Sequence, residues 1–537
     1  MTDRSVQRSS GSLWLQGAIV TAFFSALMIR QSLQHGRLAL PPTFDDVSYL
    51  NQGGYYLSIF DTQGFTGLFD TYLAGPPHAP ISTGAAFAGL ALFGVHDWIG
   101  AVTNAVILLF FSRLFLTVAR DLTIAQSTLL LSALWCGPYI GMTLIWFRPD
   151  MLAALLVAIG TVYIVTRTDW VANRRAQIIG GIFCGLSLWG KPTIFPLTLA
   201  LYGIAVLLIS LTAAFKREYK AILYSAIVVF GLAITISLPY YAFSLDSVVS
   251  YIYAVVLGSQ ADIWVHPLPL AETLNFYLTG YYGKISIGWW VYGAPVVALL
   301  AFIVLWIGAD ITALRRALLV VALVLIAYVA VTIPTFKGPH GFPFAAALLV
   351  STALAATVIA RSLPRIYSTA FCALVLAVSL WQFQWEFTMS HAYVTTAQAN
   401  TRHALVDKMT EIIGDNVDDQ TILFSTSSNY SNFLTLEFNY RQKGLPLPRW
   451  TVPQLSADFD EHEREIQKAD IVVAYTPDFT DVIPNLPTAS AAFRRRFVDA
   501  VKQSGLFSDP ALIPDAAFGG GILIFKRIGV RSPNPTI

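Results

Sequence analysis

Charged residues are scarce in this chain: only 12% of its 537 residues are Asp, Glu, Lys or Arg, against about 25% in soluble domains. Hydrophobic residues make up 55%, and the mean hydropathy is +0.60. This balance excludes a soluble globular protein and predicts a polytopic membrane protein. Basic tracts and aromatic–basic repeats are also lacking, so nothing in the sequence indicates nucleic-acid binding.

Cysteine is rare as well. Cys136, Cys184 and Cys372 all lie inside apolar runs and form no CxxC pair, so they indicate neither a disulfide framework nor a zinc site. The N-terminus carries Arg4 and Arg8 before an apolar run, without a small-residue cleavage site. This pattern predicts an uncleaved first membrane span rather than a signal peptide.

Long apolar runs dominate what remains. A helix needs about 20 apolar residues to cross a bilayer, and this length predicts about eleven transmembrane helices. They are expected near 13–34, 97–119, 123–145, 150–166, 176–190, 192–214, 221–243, 285–308, 317–333, 342–360 and 366–384. A further apolar run, 80–95, is short and rich in glycine, and composition alone leaves open whether it spans the membrane or lies at the interface.

The distribution of basic residues favours one topology. If 80–95 does not span and the N-terminus is cytoplasmic, fourteen basic residues fall on the cytoplasmic side and only five on the outer side before residue 385. The fourteen are Arg4, Arg8, Arg113, Arg120, Arg167, Arg174, Arg175, Lys216, Arg217, Lys220, Arg315, Arg316, Arg361 and Arg365. A spanning 80–95 would invert this bias. We therefore predict a multi-pass inner (plasma) membrane protein with 80–95 inside one long outer loop, 35–96.

The composition changes near residue 390, where charged and polar residues become common. The segments "QTILFSTSS", "ADIVVAYTP" and "GGILIFKR" are typical of short buried strands, and 402–413 and 490–503 are typical of helices between them. We predict a transmembrane domain over 1–389 and an extracytoplasmic α/β domain over 390–537. The "FGGG" at 518–521 precedes a strand instead of following one, so it indicates a turn rather than a phosphate-binding loop.

Ionisable residues recur at the predicted outer ends of the apolar helices, in four separate turns. They are Asp45, Asp46 and His78 in the first outer loop, Arg148 and Asp150 in the second, Lys191 in the third, and Lys337 and His340 in a late one. Such residues are costly beside a membrane and usually functional. A carboxylate can accept a proton from an attacking hydroxyl, while Lys and Arg can offset the charge of a leaving phosphate. This set fits transfer of a sugar from a polyprenyl phosphate.

Each residue also has a purely structural interpretation. Asp45 can cap a helix that begins near Val47, and Asp150 can cap the fourth span with Arg148 as its ion-pair partner. Lys191 can extend to the lipid headgroups, and both histidines can be ordinary loop residues. The joint pattern favours a functional role because all of these residues fall on one predicted face of the membrane.

The motifs around these residues resemble those of the polytopic glycosyltransferases of the C fold (GT-C), the superfamily of the protein O-mannosyltransferases and the lipid A aminoarabinose transferases. The similar stretches are "FDDVSYL" with Asp45, Asp46 and Tyr49, "GPPHAPISTGAAFAGLALFGV" with His78, "FRPDML" with Arg148 and Asp150, "WGKPT" with Lys191, and "FKGPHGFPF" with Lys337 and His340. Their order and predicted membrane sides agree with the family over about residues 13–360. The chain departs from it at Asp46, where Glu is commoner, at Pro192, where Gly is usual, and at Gly341, where an aromatic residue is usual.

The resemblance implies an inverting glycosyltransferase with a polyprenyl-phosphate sugar donor and an extracytoplasmic glycan, lipid or protein acceptor. It makes Asp45 the general base, Asp46 a loop support or acceptor contact, and Asp150 a second acid near the reaction centre. The implied substrate-binding residues are Tyr49, His78, Arg148, Lys191, Lys337 and His340, the last four as contacts of the lipid phosphate. Some members use a divalent metal and others need none. Here Asp45, Asp150 and His78 have suitable ligand atoms, although their spacing shows no site.

Two other functions remain open at this stage. A transporter or flippase of lipid-linked sugars would also need outer charges and a lipid groove, but the chain shows no internal repeat and its ionisable residues avoid the midplane. An assembly protein would not need acids and a lysine on separate turns. The aromatic segment 244–284 is either an interfacial gate for lipid or a packed pair of interfacial helices.

Overall fold

The computed structural model describes residues 9–167, 169–214, 218–258, 260–264, 269–288, 342–385, 394–515 and 517–529, with isolated positions between 293 and 303. Lys337 and His340 therefore lie outside the described residues, as do the predicted span 317–333 and most of 285–308. Within the described part, apolar helices precede a small α/β unit.

The helices before the α/β unit follow one another with short connections. They are α1 (Ser10–His35), α2 (Phe44–Ala74), α3 (Pro80–Phe93), α4 (Ile99–Val118), α5 (Ile124–Trp135), α6 (Pro138–Ile145), α7 (Pro149–Thr166), α8 (Arg174–Gly190), α9 (Phe195–Ala214), α10 (Tyr219–Val256), α11 (Ala261–Trp264), α12 (Leu270–Leu278), α13 (Tyr281–Ser286), α14 (Phe342–Ser362) and α15 (Arg365–Trp385). Short 3-10 turns at Arg37–Ala39 and Pro192–Ile194 connect α1 to α2 and α8 to α9.

Seven of the described helices are long and apolar enough to cross a membrane, which makes this an integral membrane protein. They are α1, α4, α7, α9 with its preceding turn, α10, α14 and α15. The pair α5 and α6 makes an eighth if it counts as one span bent by 65°. The helix α8 covers the predicted span 176–190 but has only 17 residues. The total of about eleven spans stays a prediction.

The predicted outer loop 35–96 contains two packed helices. With 14 residues, α3 is about 21 Å long, which is shorter than the hydrocarbon core of a bilayer. This length agrees with a segment that does not span. Gly53 of α2 lies against α3 so closely that a Cβ there would be 2.5 Å from the Cβ of Ala86. The helix α2 then bends at Gly64, whose φ is +66°.

The helix α10 extends beyond the span predicted inside it. The predicted span 221–243 lies inside α10, which continues to Val256 through Pro239. Its buried side chains continue along one face of the same helix at Tyr240, Ser244, Val248 and Val255, so packing maintains the helix beyond the predicted end. The first part of the segment 244–284 therefore belongs to α10.

The α/β unit is a mixed sheet between two helical layers. Its elements are α16 (Thr396–Ile413), β1 (Thr421–Phe424), α17 (Phe433–Gln442), β2 (Arg449–Thr451), α18 (Phe459–Lys468), β3 (Ile471–Tyr475), α19 (Ala491–Gln503), β4 (Ala511–Pro514) and β5 (Gly521–Lys526). The strand order is β2-β1-β3-β5-β4. β1 is parallel to β2 and β3, whereas β5 is antiparallel to β3 and β4. Side chains of α16 and α17 pack on one face of the sheet, and those of α18 and α19 pack on the other.

All three predicted strands are present, at β1, β3 and β5, and both predicted helices are present as α16 and α19. The helix α16 begins earlier than expected, because Thr395 and Gln398 form a reciprocal capping box at its start. The "FGGG" segment is a turn before β5, and Gly519 and Gly520 adopt positive φ there.

Candidate active site

The two adjacent acids lie in the first turn of α2, where the positive end of the helix dipole favours carboxylates. Their surroundings differ sharply, because the Asp45 side chain is 57% exposed while that of Asp46 is 8% exposed. The two carboxylates therefore face different environments, and only Asp45 is open to an incoming molecule.

Asp46 is held by two arginines. It accepts hydrogen bonds from Nε of Arg37 at 2.7 Å and from Nε of Arg148 at 3.2 Å. The two guanidinium groups also lie against the ring of Trp146, with centroid distances of 5.0 and 4.9 Å. Charge-assisted bonds of this kind are stronger than neutral ones. Asp46 thereby connects the α1–α2 turn to the residues that precede α7.

Asp45 has a looser cationic neighbour. Nη1 of Arg148 lies 4.0 Å from its carboxylate, so Arg148 contacts both acids. The sequence alone offered Arg148 as the ion-pair partner of Asp150, and the structure instead pairs it with the two acids of α2. Arg148 ends in this position because Pro149 starts α7 directly after it.

Asp150 pairs with Lys191 in a buried position. Asp150 lies in the first turn of α7, and Lys191, 18% exposed, is the residue that ends α8 and donates to its carboxylate. Gly190 allows this approach, because a Cβ there would lie 3.1 Å from the Cβ of Ala153. Lys191 therefore does not extend to lipid headgroups, and the pair neutralises two charges that would be costly to bury singly.

Tyr49 and His78 form an aromatic contact beside these ion pairs. The Tyr49 hydroxyl lies 3.2 Å from Nδ1 of His78, with the rings stacked, and His78 meets the ring of Tyr251 edge-on at 5.3 Å. Burial raises the pKa of Tyr49 well above its usual value, and the nearby carboxylates Asp45 and Asp150 raise it further. Tyr49 is thus a neutral phenol at neutral pH and can donate a hydrogen bond.

Sequence reasoning missed three residues of this site. Arg37 is one of the five basic residues predicted on the outer side and was given no role there, although it is one of the two partners of Asp46. Trp146 and Tyr251 were also missed as members of the cluster. The only sequence signal for Tyr251 is its place in the aromatic stretch "YIYAVV", which the structure places on α10.

The α/β unit contacts the helix that carries the two acids. Oγ1 of Thr435 donates to the carbonyl oxygen of Pro42 at 2.9 Å, just before α2 begins, and Nδ2 of Asn51 donates to the carbonyl oxygen of Leu434 at 2.8 Å. Nε2 of His403 also lies 3.1 Å from the carbonyl oxygen of Ala39. The start of α2 is therefore held from both the membrane helices and the α/β unit.

The described residues contain no group of three or more His, Cys, Asp or Glu side chains placed to hold a metal ion. The histidine and acids that the family resemblance suggested as ligands are instead engaged separately. His78 contacts Tyr49, and Asp150 is paired with Lys191. Asp45 keeps an exposed carboxylate. Cation and carboxylate pairs, rather than a ligand cluster, define the site in this part of the chain.

Comparison with known proteins identifies the fold. No family profile matches the sequence, and no curated protein matches it. Among solved structures, ArnT from Cupriavidus metallidurans in the apo state superposes with a TM-score of 0.59 at 12% identity, covering 96% of this chain and 98% of that one. The Archaeoglobus fulgidus oligosaccharyltransferase covers 96% of this chain and 73% of that one at 12% identity, with a TM-score of 0.46 that is too low to support an argument. The chain therefore shares its overall fold with ArnT, and the predicted fold class, a polytopic helical membrane protein with a C-terminal α/β domain, is confirmed.

Proposed function

We propose that this chain is a membrane glycosyltransferase that moves a sugar from a polyprenyl-phosphate donor to an extracytoplasmic acceptor. The observation that carries the proposal is the convergence of an exposed carboxylate, a buried Lys–Asp pair and a neutral phenol from separate segments of the chain. Asp45 and Tyr49 come from α2, Asp150 from α7, and Lys191 from the end of α8. The fold shared with ArnT is consistent with this chemistry.

Asp45 is assigned as the general base. Its carboxylate is the more exposed of the adjacent pair, so an acceptor hydroxyl can approach it and lose its proton to it. The acceptor oxygen then attacks the anomeric carbon as the bond to the phosphate oxygen breaks, and the polyprenyl phosphate leaves with that electron pair. One such displacement inverts the anomeric configuration.

Lys191 and Arg148 are assigned to the leaving phosphate. The departing group gains negative charge, and a positioned cation offsets that charge without reorganising. Asp150 fixes the Lys191 ammonium by their ion pair, while Arg148 is fixed by Asp46 and Trp146. The Tyr49–His78 contact lies beside both acids and is assigned to binding the sugar hydroxyls. Lys337 and His340 remain proposed phosphate contacts by family resemblance.

The test compares Asp45→Asn with Asp61→Asn, a matched change of an exposed acid on the same helix. Membrane lipids and envelope glycans from cells with each variant are compared by mass spectrometry. The proposal predicts that Asp45→Asn accumulates a lipid-linked sugar and loses one decoration, whereas Asp61→Asn matches the wild type. An unchanged lipid and glycan profile in Asp45→Asn cells would refute the assignment.

A second assay separates transfer from transport. A transporter or flippase needs two compartments, so it produces no glycosylated acceptor in detergent solution. The purified wild-type protein, mixed in detergent with the accumulated lipid fraction and membranes of the Asp45→Asn strain, is expected to form the missing glycan. Failure to form it there, with activity only in sealed vesicles, would favour transport.

A further inference from the structure

The segment between α6 and α7 carries Arg148 but belongs to neither helix. The helix α6 ends at Ile145 and α7 begins at Pro149. Between them, Trp146 and Arg148 both adopt extended backbone conformations. The last carbonyl groups of α6 and those of the segment are therefore outside the helical hydrogen-bond pattern. Buried carbonyl groups need a donor from elsewhere, and a side chain of α4 supplies it.

That side chain is Asn104, which is 9% exposed and lies in an apolar helix long enough to cross the membrane. Its Nδ2 group donates to the carbonyl oxygens of Thr143 at 2.8 Å, Trp146 at 3.2 Å and Leu144 at 3.3 Å. A carboxamide has two N–H groups, so the three carbonyl oxygens share two hydrogens. A single amide thus joins the end of α6 to the first residue of the extended segment.

Two further contacts hold the same segment between α4 and α2. A Cβ at Gly100, one turn before Asn104, would lie 2.6 Å from the ring of Phe147, so a larger residue there would displace the segment. The Phe147 side chain is 4% exposed and belongs to a buried cluster with Val47 and Tyr49 of α2. The backbone before Arg148 is therefore fixed by α4 on one side and packed against α2 on the other.

We propose that Asn104 is a positioning residue for Arg148. The guanidinium group of Arg148 contacts Asp46 at 3.2 Å, Asp45 at 4.0 Å and the ring of Trp146 at 4.9 Å. These distances depend on the path of the backbone, and Asn104 holds a carbonyl group two residues before Arg148. Without the amide, the carbonyl groups of the segment turn toward other donors or water, and the guanidinium group moves with them.

This role rests on the proposed function in one respect, since Arg148 is assigned there to the leaving phosphate. The position of Arg148 can nevertheless be measured without any transfer reaction. Arginine-specific modification by phenylglyoxal reports how accessible each guanidinium group is, and mass spectrometry assigns the rate to each residue. The Arg148 side chain is 17% exposed, so its modification is expected to be slow in the wild type.

Gln177 offers a matched control. It is also a buried carboxamide, 1% exposed, and its Nε2 group has three acceptors as well. They are the carbonyl oxygens of Trp170 at 3.0 Å and Val171 at 3.1 Å, and Oγ of Ser225 at 2.8 Å. These contacts lie at the ends of α7 and α8 that are remote from the acids. Gln177→Met therefore removes an equivalent set of hydrogen bonds, far from Arg148, and replaces the amide with an apolar group of similar size.

The experiment treats the full-length protein in detergent with phenylglyoxal and uses Arg464, whose side chain is 62% exposed, as the internal reference. In Asn104→Leu, the relative modification rate of Arg148 should rise about fivefold, the factor that one net hydrogen bond is worth. In Gln177→Met it should stay at the wild-type value, although the Tm of both variants falls by a similar amount. If Asn104→Leu aggregates, Asn104→Ser replaces it, because its shorter side chain has a single donor for three carbonyl groups.

An unchanged Arg148 rate in a variant at Asn104 that elutes like the wild type would overturn the positioning role, as would an equal increase in Gln177→Met. The transfer assay in detergent then separates the two proposals. Slower transfer by Asn104→Leu, together with faster modification of Arg148, supports both. Faster modification with normal transfer supports the positioning role but refutes the assignment of Arg148 to the phosphate.

Discussion

Removal of the Asp46 carboxylate should destabilise the protein far more than removal of its neighbour. Asp46→Ala deletes two charge-assisted hydrogen bonds, to Arg37 and Arg148, and each such bond contributes roughly 1.5–3 kcal/mol. It also leaves two arginines without their shared carboxylate, and these are only 28% and 17% exposed. Breaking a buried pair costs about 3–5 kcal/mol. Because the arginine side chains keep some contact with water, we expect a loss of about 3 kcal/mol.

Asp45→Ala is the matched comparison on the same helical turn. Its carboxylate is mostly exposed, and its nearest cationic atom in the described residues is 4.0 Å away, an arrangement worth about 0–1 kcal/mol. Thermal unfolding of the detergent-solubilised variants, followed by tryptophan fluorescence, measures the difference. The apparent Tm should fall by roughly 3 °C for Asp46→Ala and stay close to wild type for Asp45→Ala.

Both variants should lose activity, but for different reasons. Asp45→Ala should be folded and inactive because it lacks the proposed base, whereas Asp46→Ala should lose activity together with structure. Equal Tm values for the two variants, or a larger loss for Asp45→Ala, would show that the Arg37–Asp46–Arg148 network does not hold the start of α2.

Three further changes probe the other contacts. Lys191→Met should cost about 3–5 kcal/mol by leaving Asp150 buried without its cation, and adding Asp150→Asn should restore most of the Tm but no activity. Burial raises the pKa of Asp481 to about 6, so the folded state binds more protons than the unfolded one between about pH 4 and 6 and stability falls as pH rises through that window. Asp481→Asn should therefore slow hydrogen exchange in β1 and β3 at pH 7.5, by a stabilisation of about 2 kcal/mol, and give no gain at pH 4. Thr435→Val should cost about 1 kcal/mol by removing the hydrogen bond to Pro42, and faster hydrogen exchange confined to the start of α2 would check it.

The local features of this fold are readable in the sequence because their causes are local. The strands of the α/β unit are short runs of buried apolar residues, and periodicity finds such runs without any partner. Likewise, the apolar run at 80–95 is visibly short in the sequence, and α3, with 14 residues, is shorter than a typical membrane span. The helix α10 continues past Pro239, and its side chains at Tyr240, Ser244 and Val248 are buried there by contacts that a single sequence does not reveal.

The partners within the candidate site could not be deduced in this way. Sequence spacing suggested Arg148 for Asp150, since the two are neighbours in the chain. The structure pairs Asp150 with Lys191 because the end of α8 packs closely against the start of α7 at Gly190. Which cation meets which acid depends on helix crossings, and such crossings leave no periodic signal in a single sequence.

The hydrogen bonds between the α/β unit and the start of α2 have a consequence for how the protein is made. The segment that carries Asp45 leaves the ribosome early, whereas its partners Leu434 and Thr435 are synthesised nearly four hundred residues later. During synthesis, the segment with Asp45 and Asp46 therefore reaches the membrane before the residues that form these hydrogen bonds with it have been made. We expect a chain truncated before α17 to insert its helices but to lack these hydrogen bonds at the start of α2. Such a chain should therefore be inactive.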